Sequence, residues 1–536
     1  MSPGKRPTPT WRPSPHLLLA LLSALLVIIG NISGLAVGDD GVGYQAIADS
    51  LREGHGLGYF LERPVTIWPP LWPFLMSLVS SFTGLSSSQS AVVLNAITAF
   101  IVVLLVDRLL RRLVTNWQIR RVGTSVAALG GSSILFGHLL MTDLAFVAVM
   151  LGLFLALMNH RDTGDRRWLV RAAVLVWVAF MTRYAGIALI GIGAAWIVIA
   201  RPASRRDRRQ DAAIFAGLSF VVPFGWMIRN HGVDGTWLGQ RYSSARGLIG
   251  NSFDMLATIG NFVAPGVAIG QRKLWALVAI VGIGVMVVLV MRVVRRDDRF
   301  RSTRGSLDLM GTPVGLLVVH IVLYTLYMLY ARTTTGLNQL DFRLLNPIYL
   351  PLVLFALSII DRILGEDGTG SETPHRLARA SVLSWAGLSL LLGAGMTLYF
   401  LTGPDLFSGN YAGSAFETAR QSHALDDIYT RCDRSPTTLS SNLPNALYEG
   451  HKGAHIEAGW SPRLTGLESN DKVDDIGVLA ANVSKHKYCI IWLDLQPTYG
   501  HLATLEQLRQ DFQLDPFAHD GKVTVYAVTA LPTAPH

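Results

Sequence analysis

Eleven apolar runs separated by short polar connections constrain this chain more than any other feature, because each run must leave water and few soluble folds could hide them all. They lie near residues 16–37, 89–106, 122–140, 144–158, 168–181, 185–200, 212–228, 274–291, 311–331, 344–360 and 380–401. Most are long enough to cross a hydrocarbon core of about 30 Å. Charged residues make up 15% of the chain, against about 25% in an ordinary soluble protein. The expected fold class is therefore an α-helical polytopic membrane protein of about eleven spans, with a small C-terminal α/β domain.

The formal charge of +9 could suggest a nucleic-acid partner. The arginines, however, fall in clusters between apolar runs and not along one polar face, so no nucleic-acid partner is expected. Placing the N-terminus in the cytoplasm puts the clusters 108–121, 161–171, 201–209, 292–304 and 362–379 inside, about 26 basic residues against about 10 outside. Fusing the runs at 168–181 and 185–200 would put the 201–209 cluster on the wrong side, so they read as two spans. The first run follows Lys5, Arg6 and Arg12 but lacks a small-x-small cleavage site, and reads as a retained span. The expected divisions are a cytoplasmic tail over 1–15, a membrane domain over 16–402 with a first outer loop at 38–88, and an extracytoplasmic α/β domain over 403–536. The expected location is the plasma (inner) membrane.

Within the C-terminal part, KYCIIWLDL and KVTVYAVTA read as strands and TLEQLRQDF as a helix. Both cysteines, Cys432 and Cys489, lie there. An extracytoplasmic location permits a bridge, and two buried thiols are an equal alternative. The stretch Pro70 to Leu85 is apolar, too short to span and rich in aromatics and proline, which suits an interfacial helix.

Chemistry is expected in the outer connections. Asp39 and Asp40 follow the first span, at the membrane surface, where a carboxylate can stay ionised; the plain alternative is a helix cap for an amphipathic segment, Tyr44 to Arg52. Asp143, in LLMTDLAF, occupies a very short outer turn, with capping of the next helix as its alternative. Arg183, Arg229, Arg241 and Arg343 stand on the outer side against the charge trend. A guanidinium can bind two phosphate oxygens at once, and snorkelling to lipid head groups is the ordinary alternative.

An acidic residue four before a tyrosine (Asp40, Tyr44), a helix ending in EGHGLGY, and a PP-aromatic segment (Pro69, Pro70, Trp72) resemble the first outer loop of the GT-C superfamily. The likeness covers roughly Leu17 to Ile360 and is greatest to the branch holding lipid A aminoarabinose transferases, protein O-mannosyltransferases and Rgt-type lipopolysaccharide glycosyltransferases. The resemblance implies a polyprenyl-phosphate-linked sugar as donor, a glycan, lipid or protein as acceptor, and membrane lipids as neighbours. It implies Asp40 as catalytic base and Asp143 as a second acidic site. Asp39, Tyr44, Arg229, Arg241 and Arg343 are the expected substrate-binding residues, with Arg343 further supported because DFRLLNP resembles the family's arginine-proline segment. No cofactor is demanded, and a divalent cation is a candidate. The family often follows its aspartate with an acidic residue where this chain has Gly41, which weighs against a two-carboxylate metal site in this loop.

The implied reaction is inverting transfer of the sugar to an acceptor hydroxyl. Neither a Walker-type phosphate loop nor a dinucleotide fingerprint is present. Two other classes fit many spans: a transporter or flippase of lipid-linked sugars, which should carry charges near the bilayer midplane, and an assembly protein whose C-terminal domain binds a partner.

Overall fold

The computed structural model describes residues 14–32, 34–37, 39–59, 63–200, 205–239, 241, 243–263, 271–296, 310–365, 372–402, 414–426, 428–433, 438–443, 446–448, 457–458, 475–495 and 503–531. Among the described residues, fifteen helices up to Thr402 form the helical part. They are α1 (Pro15–Gly30), α2 (Asp39–Arg52), α3 (Leu71–Thr83), α4 (Ser87–Leu113), α5 (Trp117–Leu129), α6 (Gly131–Gly137), α7 (Asp143–Thr163), α8 (Arg167–Thr182), α9 (Ala188–Ile199), α10 (Arg205–Asp234), α11 (Leu248–Val263), α12 (Arg272–Arg296), α13 (Pro313–Thr334), α14 (Phe342–Gly365) and α15 (Glu372–Thr402).

Among the described residues seven helices are long and apolar enough to cross a bilayer: α4, α7, α10, α12, α13, α14 and α15. The other four expected spans fall on shorter elements. These are α1, α8, the pair α5 and α6 broken at the extended Gly130, and a 3₁₀ turn at Tyr184–Ile187 running into α9. The break at Arg183, extended at φ −149°, separates α8 from the next helix, so the stretch 168–200 holds two helices.

α3 carries the Pro70 to Leu85 stretch. Its 13 residues rise about 20 Å, less than a hydrocarbon core, and Gly84 ends it in the left-handed region at φ 74°. Apolar side chains cover the outward faces of α1 and α12, with Leu277, Ile280, Val281 and Val288 all more than half exposed. α7, by contrast, is buried along most of its length, so the bundle packs around it.

The first loop holds the short hairpin β1 (Gly58–Tyr59) and β2 (Arg63–Pro64), and beyond α15 the described residues form one sheet of five strands, which pair in the order β4 (Glu457–Ala458), β3 (Leu439–Ser441), β5 (Tyr488–Leu493), β7 (Val523–Ala530) and β6 (Phe512–Asp520). β5 and β7 are the expected strands, and the helix Leu505–Asp511 is the expected helix, opened by a capping box from Thr504 to Gln507. β6 follows that helix directly. Cys432 and Cys489 are bonded to each other, which resolves the alternative in favour of the bridge. The later chain meets the first loop where Tyr448 Oη donates to Asp49 Oδ2 at 3.1 Å, and Ser87 Oγ donates to the same carboxylate.

Candidate active site

Backbone pairing places the first loop against the start of α7. Ala36 N donates to His138 O and Leu140 N to Ala36 O, both at 2.9 Å. Asn95, buried on α4, donates to Gly137 O at 3.2 Å and Leu139 O at 2.9 Å, so the chain between α6 and α7 finds acceptors for its carbonyls inside the bundle. Gly41 completes the approach, because a Cβ there would lie 2.8 Å from Leu140 O. The glycine at this position, where an acidic residue was weighed, is thus demanded by packing. The second carboxylate comes from α7 instead.

That carboxylate is Asp143, the first residue of α7, only 1% exposed at its side chain. Thr142 makes no side-chain cap, and Asp143 is ion-paired instead with Arg183, which the break after α8 turns inward. Asp341 prepares the fourth component. Its Oδ1 accepts from Arg343 N at 3.0 Å and Leu344 N at 3.2 Å, capping α14 and directing Arg343 from the helix's opening turn. The Arg343 guanidinium pairs with Asp40 and, through Nε, lies 3.5 Å from Asp143 Oδ2. Asp40, Arg343, Asp143 and Arg183 therefore form a continuous charged chain contributed by α2, α14, α7 and the end of α8.

The chain grades from depth to surface: Asp143 is enclosed, while Asp40 at 28% side-chain exposure is its most open member. Asp40 does not cap its helix. Its Oδ1 accepts from Trp68 Nε1 at 2.9 Å and its Oδ2 from Arg343. Burial pushes the Asp40 carboxyl up, but Arg343, then Trp68 and Arg183, more than offset this and hold it below 3.8. Tyr44, one turn along α2, is buried and meets Trp68 edge-on at 6.1 Å. Burial and then the Asp40 charge push its phenol up, so it stays a neutral donor.

Trp68 was not singled out from the sequence, although it stands immediately before Pro69 and Pro70. Its partner signal is Gly43, where a Cβ would lie 2.5 Å from the indole. Trp72, from the same motif, is buried at 2% exposure in the core and is no part of the charged chain. Arg229 and Arg241 also stand apart from it. Arg229 donates to Val65 O and lies over Trp226 at 4.8 Å; Arg241 donates to Ile67 O at 3.3 Å. Tyr184 Oη donates to Thr66 O at 2.6 Å. All three grip the backbone of residues 65–67, which delivers Trp68 to Asp40. The side chain of Asp39 lies outside the described residues.

The carboxylates of Asp40 and Asp143 share one guanidinium, and among the described residues no three His, Cys, Asp or Glu side chains could hold a metal ion.

No protein-family model matches the chain, and no curated protein matches it by sequence. Solved structures do. The likeness to ArnT from Cupriavidus metallidurans bound to undecaprenyl phosphate has a TM-score of 0.58 at 14% identity, over 95% of this chain and 97% of that one. The archaeal oligosaccharyltransferase AglB from Archaeoglobus fulgidus, in complex with an inhibitory peptide and a dolichol-phosphate, aligns at TM-score 0.50 and 13% identity, over 89% of this chain and 69% of that one. The chain has the fold of the GT-C membrane glycosyltransferases. Within that class, the ArnT likeness takes in almost the whole of both chains, the polar C-terminal part included.

Proposed function

We propose that this protein is an inverting glycosyltransferase that moves a sugar from a polyprenyl-phosphate donor to a hydroxyl of a cell-envelope glycan, lipid or protein. The observation that carries the reading is the chain Asp40–Arg343–Asp143, in which a surface carboxylate and a deep one share a guanidinium at the ends of α2, α14 and α7. It sits in a fold whose ArnT neighbour was solved with undecaprenyl phosphate.

An acceptor hydroxyl is a weak nucleophile at neutral pH, and a positioned base adds roughly 10²–10⁴ in rate. Asp40 takes the hydroxyl proton as the oxygen attacks the anomeric carbon. The bond between that carbon and the phosphate oxygen breaks, and its electron pair leaves with the polyprenyl phosphate. Arg343 then has two successive partners. Before the donor binds it holds Asp40; a phosphate draws the guanidinium away, freeing the carboxylate to act and stabilising the charge that develops on the leaving group. Asp143, fixed by Arg183, keeps Arg343 in place through the exchange. One displacement inverts the anomeric centre, and no phosphate-protonating acid is needed.

The outer face suits this chemistry, since donor phosphate and base meet at helix ends. A midplane transport site would place the charges mid-span. We assign the N-terminus to the cytoplasm and residues 403–536 to an extracytoplasmic domain, the compartment where a disulfide persists. Arg229 and Arg241 act on the donor indirectly by holding the 65–68 segment.

The test compares membranes with and without the chain. Mass spectrometry of lipid-linked sugars and envelope glycans should show a polyprenyl-phosphate sugar accumulating and one glycan substituent lost. Unchanged profiles of both would refute the reading.

A further inference from the structure

At the far end of α7 from Asp143 the structure holds a second feature that the proposed reaction does not use. α7 has 21 residues, a rise of about 31 Å, so its two ends lie one hydrocarbon thickness apart. There His160, Arg161, Arg166, Trp196, Arg208 and Asp211, with the neighbouring loop, line a cavity of about 550 Å³.

Its acidic groups are engaged. Asp211 receives Arg166 Nε at 2.8 Å and faces His160 Nε2 at 3.3 Å. Asp162 is paired with Arg161 at 3.0 Å and Arg112 at 3.5 Å, and Asp207 also has a partner. Two donors are not satisfied. Trp196 is fully buried, yet among the described residues its indole N–H has no acceptor, and Arg208 Nε has none either. Arg208 NH1 donates to the carbonyls of Val198, Ile199 and Ala200 at the end of α9, which anchors the guanidinium there. Buried N–H groups without acceptors are costly, so a ligand presenting acceptor oxygens would be favoured. The cavity also offers an apolar wall from Trp196, Ile197 and Ala200.

We infer that this cavity binds a phosphate ester, the head group of a phospholipid in the leaflet opposite the Asp40 site. Trp196 Nε1 and Arg208 Nε donate to phosphate oxygens, and the apolar wall receives the start of an acyl chain. The inference is independent of the proposed transferase activity.

Native mass spectrometry of the delipidated full chain tests it, with phosphatidylglycerol, diacylglycerol and inorganic phosphate as separate probes. Phosphatidylglycerol should be retained and diacylglycerol lost. Trp196→Phe, which removes the N–H and keeps a ring in the core, should weaken phosphatidylglycerol about tenfold. Arg208→Gln should weaken it further, and the Trp196 variant keeps the test valid where loss of the α9 cap prevents folding. Inorganic phosphate bound in place of lipid would support the phosphate chemistry and overturn the lipid source. Equal retention of diacylglycerol, or unchanged affinity in Trp196→Phe, would overturn the site.

Discussion

Replacing Asp40 by Asn separates the two roles given to the Asp40–Arg343 pair, because it should damage turnover and improve donor binding together. Asparagine keeps the shape and can still accept the hydrogen bond that Trp68 Nε1 makes at 2.9 Å. It loses the charge that holds Arg343. The two side chains are 28% and 21% exposed, so their pair contributes about 1 kcal/mol, and Asp143 Oδ2 at 3.5 Å still neutralises Arg343. The fold should therefore survive. Arg343, no longer shared with Asp40, should bind polyprenyl phosphate about fivefold more tightly, whereas sugar transfer should fall by about 10²–10⁴. The assays are equilibrium binding of polyprenyl phosphate to purified protein in nanodiscs, and transfer of labelled sugar from extracted donor lipid. Wild-type transfer by folded Asp40→Asn protein would remove Asp40 as the base. Weaker phosphate binding would show that Arg343 does not exchange between carboxylate and phosphate.

Arg343→Gln should reduce polyprenyl-phosphate affinity by about 10–100-fold, the loss of a charge-assisted contact, with Arg343→Lys intermediate because an ammonium lacks the fork; equal binding by all three proteins would exclude the arginine. For pH, the Asp40 carboxyl lies below its ordinary value, so its ion pair stabilises the fold above pH 3.8 and is lost as pH falls through the depressed value. The acid limb of kcat/KM, which reports the free enzyme, should accordingly lie below 3.8, and Trp68→Phe should move it upward by removing one hydrogen bond; a limb unmoved by that change would detach Trp68 from the base. Gly41→Ala should lower thermal stability by about 1–3 kcal/mol, since its Cβ would lie 2.8 Å from Leu140 O, and an unchanged melting temperature would contradict the close approach of α2 to α7. Reduction of Cys432–Cys489, which closes a separation of 57 residues, should cost the C-terminal sheet up to about 4 kcal/mol, read by proteolysis of that region with and without reductant.

The membrane class, the spacing of the apolar runs and the placement of Asp40, Asp143, Arg183 and Arg343 at helix ends were legible in the sequence, because hydropathy and charge bias act along the chain and need no partner. β5, β7 and the capped helix between them were legible too, through periodicity and the Thr504 to Gln507 box. The charge trend picked out four arginines but could not sort them. Arg343 and Arg183 reach carboxylates, while Arg229 and Arg241 reach backbone carbonyls, and that difference depends on where residues 65–67 pass. Trp68 escaped notice because an indole before two prolines resembles an interfacial anchor until Gly43 is seen to make room for it.

Residue order by itself determined which segments leave water and which carboxylates and guanidinium groups sit at helix ends, since these follow from local hydropathy and charge. Only the tertiary structure decided that Asp40 and Asp143, 303 and 200 positions away from Arg343, converge on its one side chain. Such convergence rests on the backbone pairing of Ala36 with His138 and Leu140, and on the absence of a side chain at Gly41. Contacts between distant segments depend on how helices pack, and no local pattern encodes that.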